Sequence, residues 1–464
     1  MKTEKKKLKL TFVTGVTTVT GANFLLETLP EYSTEQVKIL VDCGLEQGGA
    51  EAEKNNHEEF SYNPADINYL LITHAHIDHI GRVPKLVKAG FKGKIFSTLE
   101  TKRIAPFMFE DSLKLFAHEE ERTGRPPLYS AGDVEAALAM WHDIPYHQIT
   151  ELHGGFQVYP KDAGHILGSA MYEITYHGTK IVFTGDLGNS PTPLLNDTED
   201  ITDATYMVME SVYGDRNHET GEERVGKLED VIEETYKQGG ALVIPSFSLE
   251  KTQVLLYELN KLIEEGRIPS VPVYLDSPLA TKITAVYKEF KKDFKPEVQN
   301  RLEKGDDIFN FPRFTIVQTS EDSKKLLFVP NPKIIIAGSG MSNGGRVIHH
   351  EINYLPDPKS TLLLVGYQSL GTLGRHIQNG EKKVTILGKE IPVRARIAFI
   401  DGYSSHKDAD HLLDFVSKSQ DTLKCVFPVM GEPKTSLYFA QRIQDNLGVK
   451  AYHPSDGESI ELEF

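Results

Sequence analysis

One short run in this chain is dense in side chains that can hold a metal ion: Thr73-His74-Ala75-His76-Ile77-Asp78-His79, with three imidazoles and a carboxylate inside six residues. Neutral imidazole and carboxylate are preferred donors for zinc, and a sharp turn at a strand end can point alternate side chains into one site. Three more pieces have matching chemistry. Asp42 closes the apolar stretch 37–41, where a carboxylate can orient a metal-bound histidine from behind. His165 lies between glycines in Gly164-His165-Ile166-Leu167-Gly168-Ser169, and Asp186 follows the apolar stretch 181–184 in Gly185-Asp186-Leu187-Gly188.

The elements that must position these residues are read from hydrophobic periodicity. Strands are expected at 8–16, 37–41, 67–73, 94–97, 156–159, 172–176 and 180–184, and helices at 82–89, 101–121 and 131–140, with a turn into helix near Ile80. From about residue 225 the pattern becomes alternating helix and buried strand, with strands at 241–245, 271–276, 333–337 and 361–365. Such alternation predicts parallel βαβ units and a second domain.

Composition bounds the function. A chain of 464 residues is too long for a single compact core, so two or three domains are expected, and 39% hydrophobic with 25% charged residues is a globular composition. The apolar runs are strand-sized and far short of the roughly 20 residues that span a bilayer, so no membrane helix is expected. The charged start, Met1 to Lys7, lacks the uninterrupted apolar stretch of a secretory signal, and a cytoplasmic location is expected. Two cysteines, Cys43 and Cys425, without C-x-x-C spacing argue against a disulfide framework or a thiolate zinc ribbon. With 51 basic against 66 acidic residues, net −15, a broad basic surface for nucleic acid is excluded, so any polyanion site must be local.

In order along the chain, H-x-H-x-D-H, G-H-x-x-G-S and a strand ending in G-D-x-G resemble the metallo-β-lactamase superfamily. The resemblance implies an αββα sandwich in which His74, His76 and His165 bind a first zinc, Asp78 and His79 bind a second, and Asp186 bridges them, with a hydroxide held between the ions as nucleophile. Glu210-Ser211-Val212-Tyr213-Gly214 resembles the signature that opens the β-CASP insert of the nuclease branch, a family that includes ribonuclease J. The segments Ile244-Pro245-Ser246-Phe247-Ser248, Asp276-Ser277-Pro278-Leu279-Ala280, Gly338-Ser339-Gly340-Met341 and Gly371-Thr372-Leu373-Gly374-Arg375 continue that pattern over most of the chain. The expected fold class is therefore α/β: the αββα sandwich from 1–210 and 395–464, with an inserted β-CASP α/β domain at 211–394 built on a largely parallel sheet.

The same resemblance implies a zinc-dependent ribonuclease of RNA processing or decay. His406, in Gly402-Tyr403-Ser404-Ser405-His406-Lys407-Asp408, matches the family's proton-donor histidine, with Glu210 orienting it and Ser404 binding a substrate phosphate. Asp78 and Asp42 join His406 and Glu210 as the catalytic set. Glycine-rich turns at Gly338, Ser339 and Gly340 expose backbone N–H groups suited to phosphates, and Arg346, Arg375 and Lys251 would add charge. Lys251 stands where the family has arginine, keeping the charge but not the planar fork.

One departure bears on the metal count. The family places a histidine ligand of the second zinc in a V-H-G-E turn, and here that segment reads Val429-Met430-Gly431-Glu432. A thioether is a poor zinc donor, so one tight and one weakened zinc site are expected. DNA-directed β-CASP members carry an apolar residue at this place, which makes a DNA nuclease one competing reading. A small-ester metallohydrolase and a catalytically weak RNA-binding scaffold are the others. The expected partner is single-stranded RNA, with no membrane and with self-association into a homo-oligomer left open.

Overall fold

A computed structural model describes residues 7–369 and 371–463, so the charged start up to Lys6 lies outside the described residues. The described residues divide into two compact units, one formed by 7–192, 197–217 and 406–463 and the other by 193–196, 218–369 and 371–405. Against the expected boundaries at 210/211 and 394/395, the units part at 217/218 and 405/406, both further along the chain. The physical reason at the second boundary is the strand Arg396–Phe399, which pairs in parallel with Thr361–Leu364 and so belongs to the sheet of the second unit.

Among the described residues the first unit holds a seven-stranded and a six-stranded sheet. The seven-stranded sheet runs Ser459–Glu463, Lys7–Thr14, Asn23–Thr28, Lys38–Val41, Tyr69–Leu71, Lys94–Ser97, Trp141–Asp143, antiparallel up to Lys38–Val41 and parallel beyond it. The six-stranded sheet runs Cys425–Val429, Tyr206–Glu210, Thr179–Phe183, Ala170–Tyr176, Phe156–Asp162, Thr150–Glu151. Alternating side chains of both sheets, including Phe12, Phe24, Tyr172, Phe183 and Phe427, fill one buried layer. Aromatic contacts stitch across it: Phe12 to Phe427 at 5.4 Å and Phe24 to Phe183 at 6.3 Å between ring centres. The outer face of the six-stranded sheet buries Met171, Val182, Met207 and Val426 against Leu412, Phe415, Phe439 and Ile443 of helices Ala409–Ser417 and Pro433–Leu447. Helices Val83–Lys88, Leu99–Thr123 and Ala131–Ala139 bury Leu86, Ile104, Phe109 and Val134. This is the αββα sandwich.

The second unit is built on six parallel strands in the order Phe314–Ile316, Val273–Asp276, Lys333–Ala337, Ala241–Pro245, Thr361–Leu364, Arg396–Phe399. Its central strands are buried along their whole length, as expected for a parallel sheet covered on both faces. No described helix is long and apolar enough to cross a membrane.

The segments around the histidine run are packed backbone to backbone. A Cβ added to Gly44 would lie 1.5 Å from the carbonyl oxygen of Asp78, so nothing larger than glycine fits beneath the loop. Gly44→Ala is expected to cost the first unit roughly 1–3 kcal/mol, the usual range for overpacking. Gly49→Ala, at a position with nothing within 4 Å, serves as the control in thermal unfolding. Equal unfolding temperatures for the two variants would contradict the close packing.

Candidate metal centre

Asp42 sits just past its strand in the left-handed region (φ 58°), which the short polar side chain of aspartate tolerates better than most. From there its carboxylate accepts hydrogen bonds from the Thr73 backbone N–H and hydroxyl and from His79 Nδ1, each at 2.8 Å. The turn carrying His74 and His76 is thereby fixed, and His76 becomes the residue that starts the short helix Ile77–Ile80. His165 is held by its backbone N–H donating to Ser169 Oγ at 3.0 Å. Two hydroxyls, Thr98 Oγ1 at 2.6 Å and Thr101 Oγ1 at 2.9 Å, donate to the carbonyl of Gly168 and pin the far end of the same loop.

Donor atoms of His74, His76, His165 and Asp186 lie within 4.8 Å of one another. His76 Nδ1 is 3.1 Å from His74 Nε2 and 3.2 Å from His165 Nε2, and Asp186 Oδ2 is 3.4 Å from both His74 Nε2 and His165 Nε2. A tetrahedral ion with bonds of about 2.1 Å has donor-to-donor edges of about 3.4 Å, so this set fits a zinc-like ion. Burial, then the neighbouring charge of His79, lowers the pKa of His74, and burial with the crowding of His74 and His165 holds His76 well below the ordinary value. Both shifts favour the neutral imidazole, the form whose lone pair can bind a metal ion. Burial would raise the Asp186 carboxyl, but His79, His406 and His74 outweigh it and hold it well below the usual range.

The second oxygen of Asp186 faces His79 Nε2 at 3.3 Å, so the carboxylate spans the His74 and His79 sides. Burial alone would lower His79, yet Asp186 and Asp42 raise its pKa well above 6.5. Asp78 is half-buried beside them, its carboxyl raised by burial and only partly relieved by His79. Met430 is 2% exposed within the apolar layer between the sheets.

A second acid and imidazole set adjoins the first. His406 Nδ1 lies 3.1 Å from Glu210 Oε1 and 3.9 Å from Asp186 Oδ2. Glu210, fully buried at the end of Tyr206–Glu210, also accepts the Leu187 backbone N–H at 2.6 Å, and burial raises its pKa despite the pull of His406. His406 keeps 19% of its side chain exposed, so it borders solvent while its partners do not.

The expected phosphate-binding residues fall in the second unit. Gly338, Ser339 and Gly340 follow Lys333–Ala337 at the carboxyl end of the parallel sheet, the end where such sheets bind ligands. Lys251 Nζ sits 4.5 Å from the Phe247 ring centre, and burial lowers its pKa to about 8. The Phe247 ring also closes over Gly340, and Lys251 packs against Gly366, so these loops form one group. Arg375 donates to the Gln368 carbonyl at 3.1 Å, and Ser404 is buried after the turn Asp401–Tyr403. Arg346 is corrected: its guanidinium bonds Asp276 at 2.6 Å and the carbonyls of Val317 and Gln318, so it anchors the loop rather than facing a ligand. His350 joins the same buried carboxylate at 2.7 Å, a structural role.

Two residues of the centre had no role assigned from sequence, Thr73 and Lys407, although both stand inside the quoted motifs. Thr73 couples Asp42 to the histidines, and Lys407 bonds the loop after Asp186. Asp42→Asn keeps the shape and removes the charge, and is expected to weaken metal binding roughly 10- to 100-fold in competition with a chromophoric chelator. Unchanged affinity would mean that the histidine loop does not depend on this carboxylate.

Comparison with known proteins accords with this geometry. The metallo-beta-lactamase superfamily description matches residues 32–254, the Beta-Casp domain residues 252–377, and the Zn-dependent metallo-hydrolase RNA specificity domain residues 390–454. The chain is 36% identical over 379 residues to ribonuclease TTHA0252 of Thermus thermophilus, covering 82% of this chain and 85% of that one. It is 30% identical over 473 residues to the transcription termination factor FttA of Methanosarcina mazei, covering 98% and 72%. A crystal structure of a protein of unknown function from Enterococcus faecalis V583 shares the fold, with TM-score 0.57 at 14% identity over 98% of this chain and 100% of that one. The chain therefore belongs to the β-CASP nucleases of the metallo-β-lactamase superfamily and is a metal-dependent hydrolase.

Proposed function

We propose that the protein is a zinc-dependent ribonuclease that hydrolyses phosphodiester bonds of single-stranded RNA in processing or decay. The observation that carries this reading is the four-donor cluster with edges of 3.1–3.4 Å, set beside a histidine and carboxylate pair that can move a proton. The match of residues 390–454 to an RNA specificity domain and the ribonuclease among the relatives support RNA as the polymer.

In this reading His74, His76, His165 and Asp186 would hold one ion, and Asp78, His79 and Asp186 would hold a second. Bound zinc supplies an activated water and positive charge against the phosphate oxygens. Glu210 holds His406 through Nδ1, which leaves Nε2 to donate a proton to the departing O3′. Lys251, Arg375, Ser404 and the Gly338-Ser339-Gly340 turn of the second unit would bind RNA phosphates, and Arg346 holds that loop in place.

The test is cleavage of labelled single-stranded RNA with and without chelator, beside the same sequence as DNA and a small ester. Chelator and His76→Ala are expected to abolish RNA cleavage, while cleavage persisting in either would sink the metal assignment. His406→Ala is expected to slow cleavage roughly 10²- to 10⁴-fold with zinc content intact. Loss of zinc from that variant would make His406 a ligand instead. With Met430 standing where the family's motif has a histidine, elemental analysis is expected to find one tightly held zinc, and Met430→His to raise occupancy of the second site. Two tight ions in the unmodified chain would refute the weakened site and leave the nuclease reading standing.

A further inference from the structure

Lys407 is a charged residue buried beside the centre with no part in the chemistry above. It is 5% exposed, and its ammonium donates to the Gly188 carbonyl at 2.9 Å and to Ser190 Oγ at 3.1 Å. Its backbone N–H donates to the Leu187 carbonyl at 2.9 Å, and His406 forms an antiparallel bridge with Gly188. The loop it grips is the one that follows Asp186. That loop is in turn rigidly seated: Gly188 N–H donates to the Ala163 carbonyl at 2.8 Å, and a Cβ on Gly188 would lie 1.9 Å from the Gly164 carbonyl oxygen, next to His165. The Leu187 N–H completes the set by donating to Glu210, the carboxylate that holds His406.

We propose that Lys407 is a positioning residue, whose ammonium straps the segment carrying His406 to the loop carrying Asp186 and so fixes the proton donor against the metal ligands. The inference rests on the reading of His406 as proton donor. The strap acts on one coordinate, the placement of the His406 ring relative to Asp186 and Glu210. The short chain from Asp186 to Ser190 transmits ligand position on one side, and the adjacent residue transmits imidazole position on the other. A donor displaced by about 1 Å can lose roughly 10²-fold in rate without any loss of binding.

The experiment compares wild type, Lys407→Met and Lys407→Arg on two substrates, RNA and bis(4-nitrophenyl) phosphate, with zinc content measured for each. RNA needs a proton on its leaving oxygen, whereas nitrophenolate departs without one. Lys407→Met is expected to lower kcat on RNA roughly 10²-fold, with KM, zinc content and nitrophenyl ester hydrolysis little changed, and Lys407→Arg to restore part of the rate. Wild-type kcat on RNA in Lys407→Met would overturn the proposal. So would a parallel fall on both substrates with loss of zinc, because that marks a general structural role. Side-chain ¹⁵N spectra of zinc-loaded protein, with the His406 signal assigned by its disappearance in His406→Ala, separate this proposal from the ribonuclease reading. If wild type does not cut RNA, that reading fails, while a changed His406 Nδ1 signal in Lys407→Met still supports the strap and an unchanged one removes it.

Discussion

A single buried carboxylate organises the metal-binding end of the first unit. Asp42 accepts three hydrogen bonds from two residues of the histidine loop, Thr73 and His79, and is itself 1% exposed. A carboxylate in that position is costly unless it is fully engaged, so the loop and the carboxylate stabilise each other. From Asp42 the order of dependence runs outward. Thr73 sets His74, the turn sets His76, and His79 lowers the pKa of Asp186, which in turn faces His74, His165 and His406.

Four of the candidate donors stand out in sequence because they are crowded into one run, where spacing alone suggests metal chemistry. His165 and Asp186 stand about a hundred residues away, and only their glycine-flanked motifs connect them to that run. The strands at 94–97, 241–245 and 333–337 were read to the residue, since uniform apolar runs between turn residues have few alternatives. Asn23–Thr28 and Ser459–Glu463 were not read. The first is a short run whose strand character depends on its neighbours, and the second is a charged edge strand whose glutamates pair with Lys7 across the ladder.

Arg346 shows where a motif misleads. An arginine after glycines suggests a free phosphate ligand, but Asp276 lies 70 positions earlier in sequence and 2.6 Å away in space. Buried acids attract the nearest fixed cation, and no local pattern reveals which cation that is. Lys251 is the opposite case, a buried ammonium that lies against an aromatic face.

The contacts of Gly44 with Asp78 and of Gly188 with Gly164 are made by main-chain atoms, not by side chains. Spacing between the ligand loops is therefore set by the width of the polypeptide itself. A side chain larger than hydrogen at Gly44 or Gly188 would push two ligand-bearing loops apart, so a substitution there acts on fold stability and on ligand spacing together.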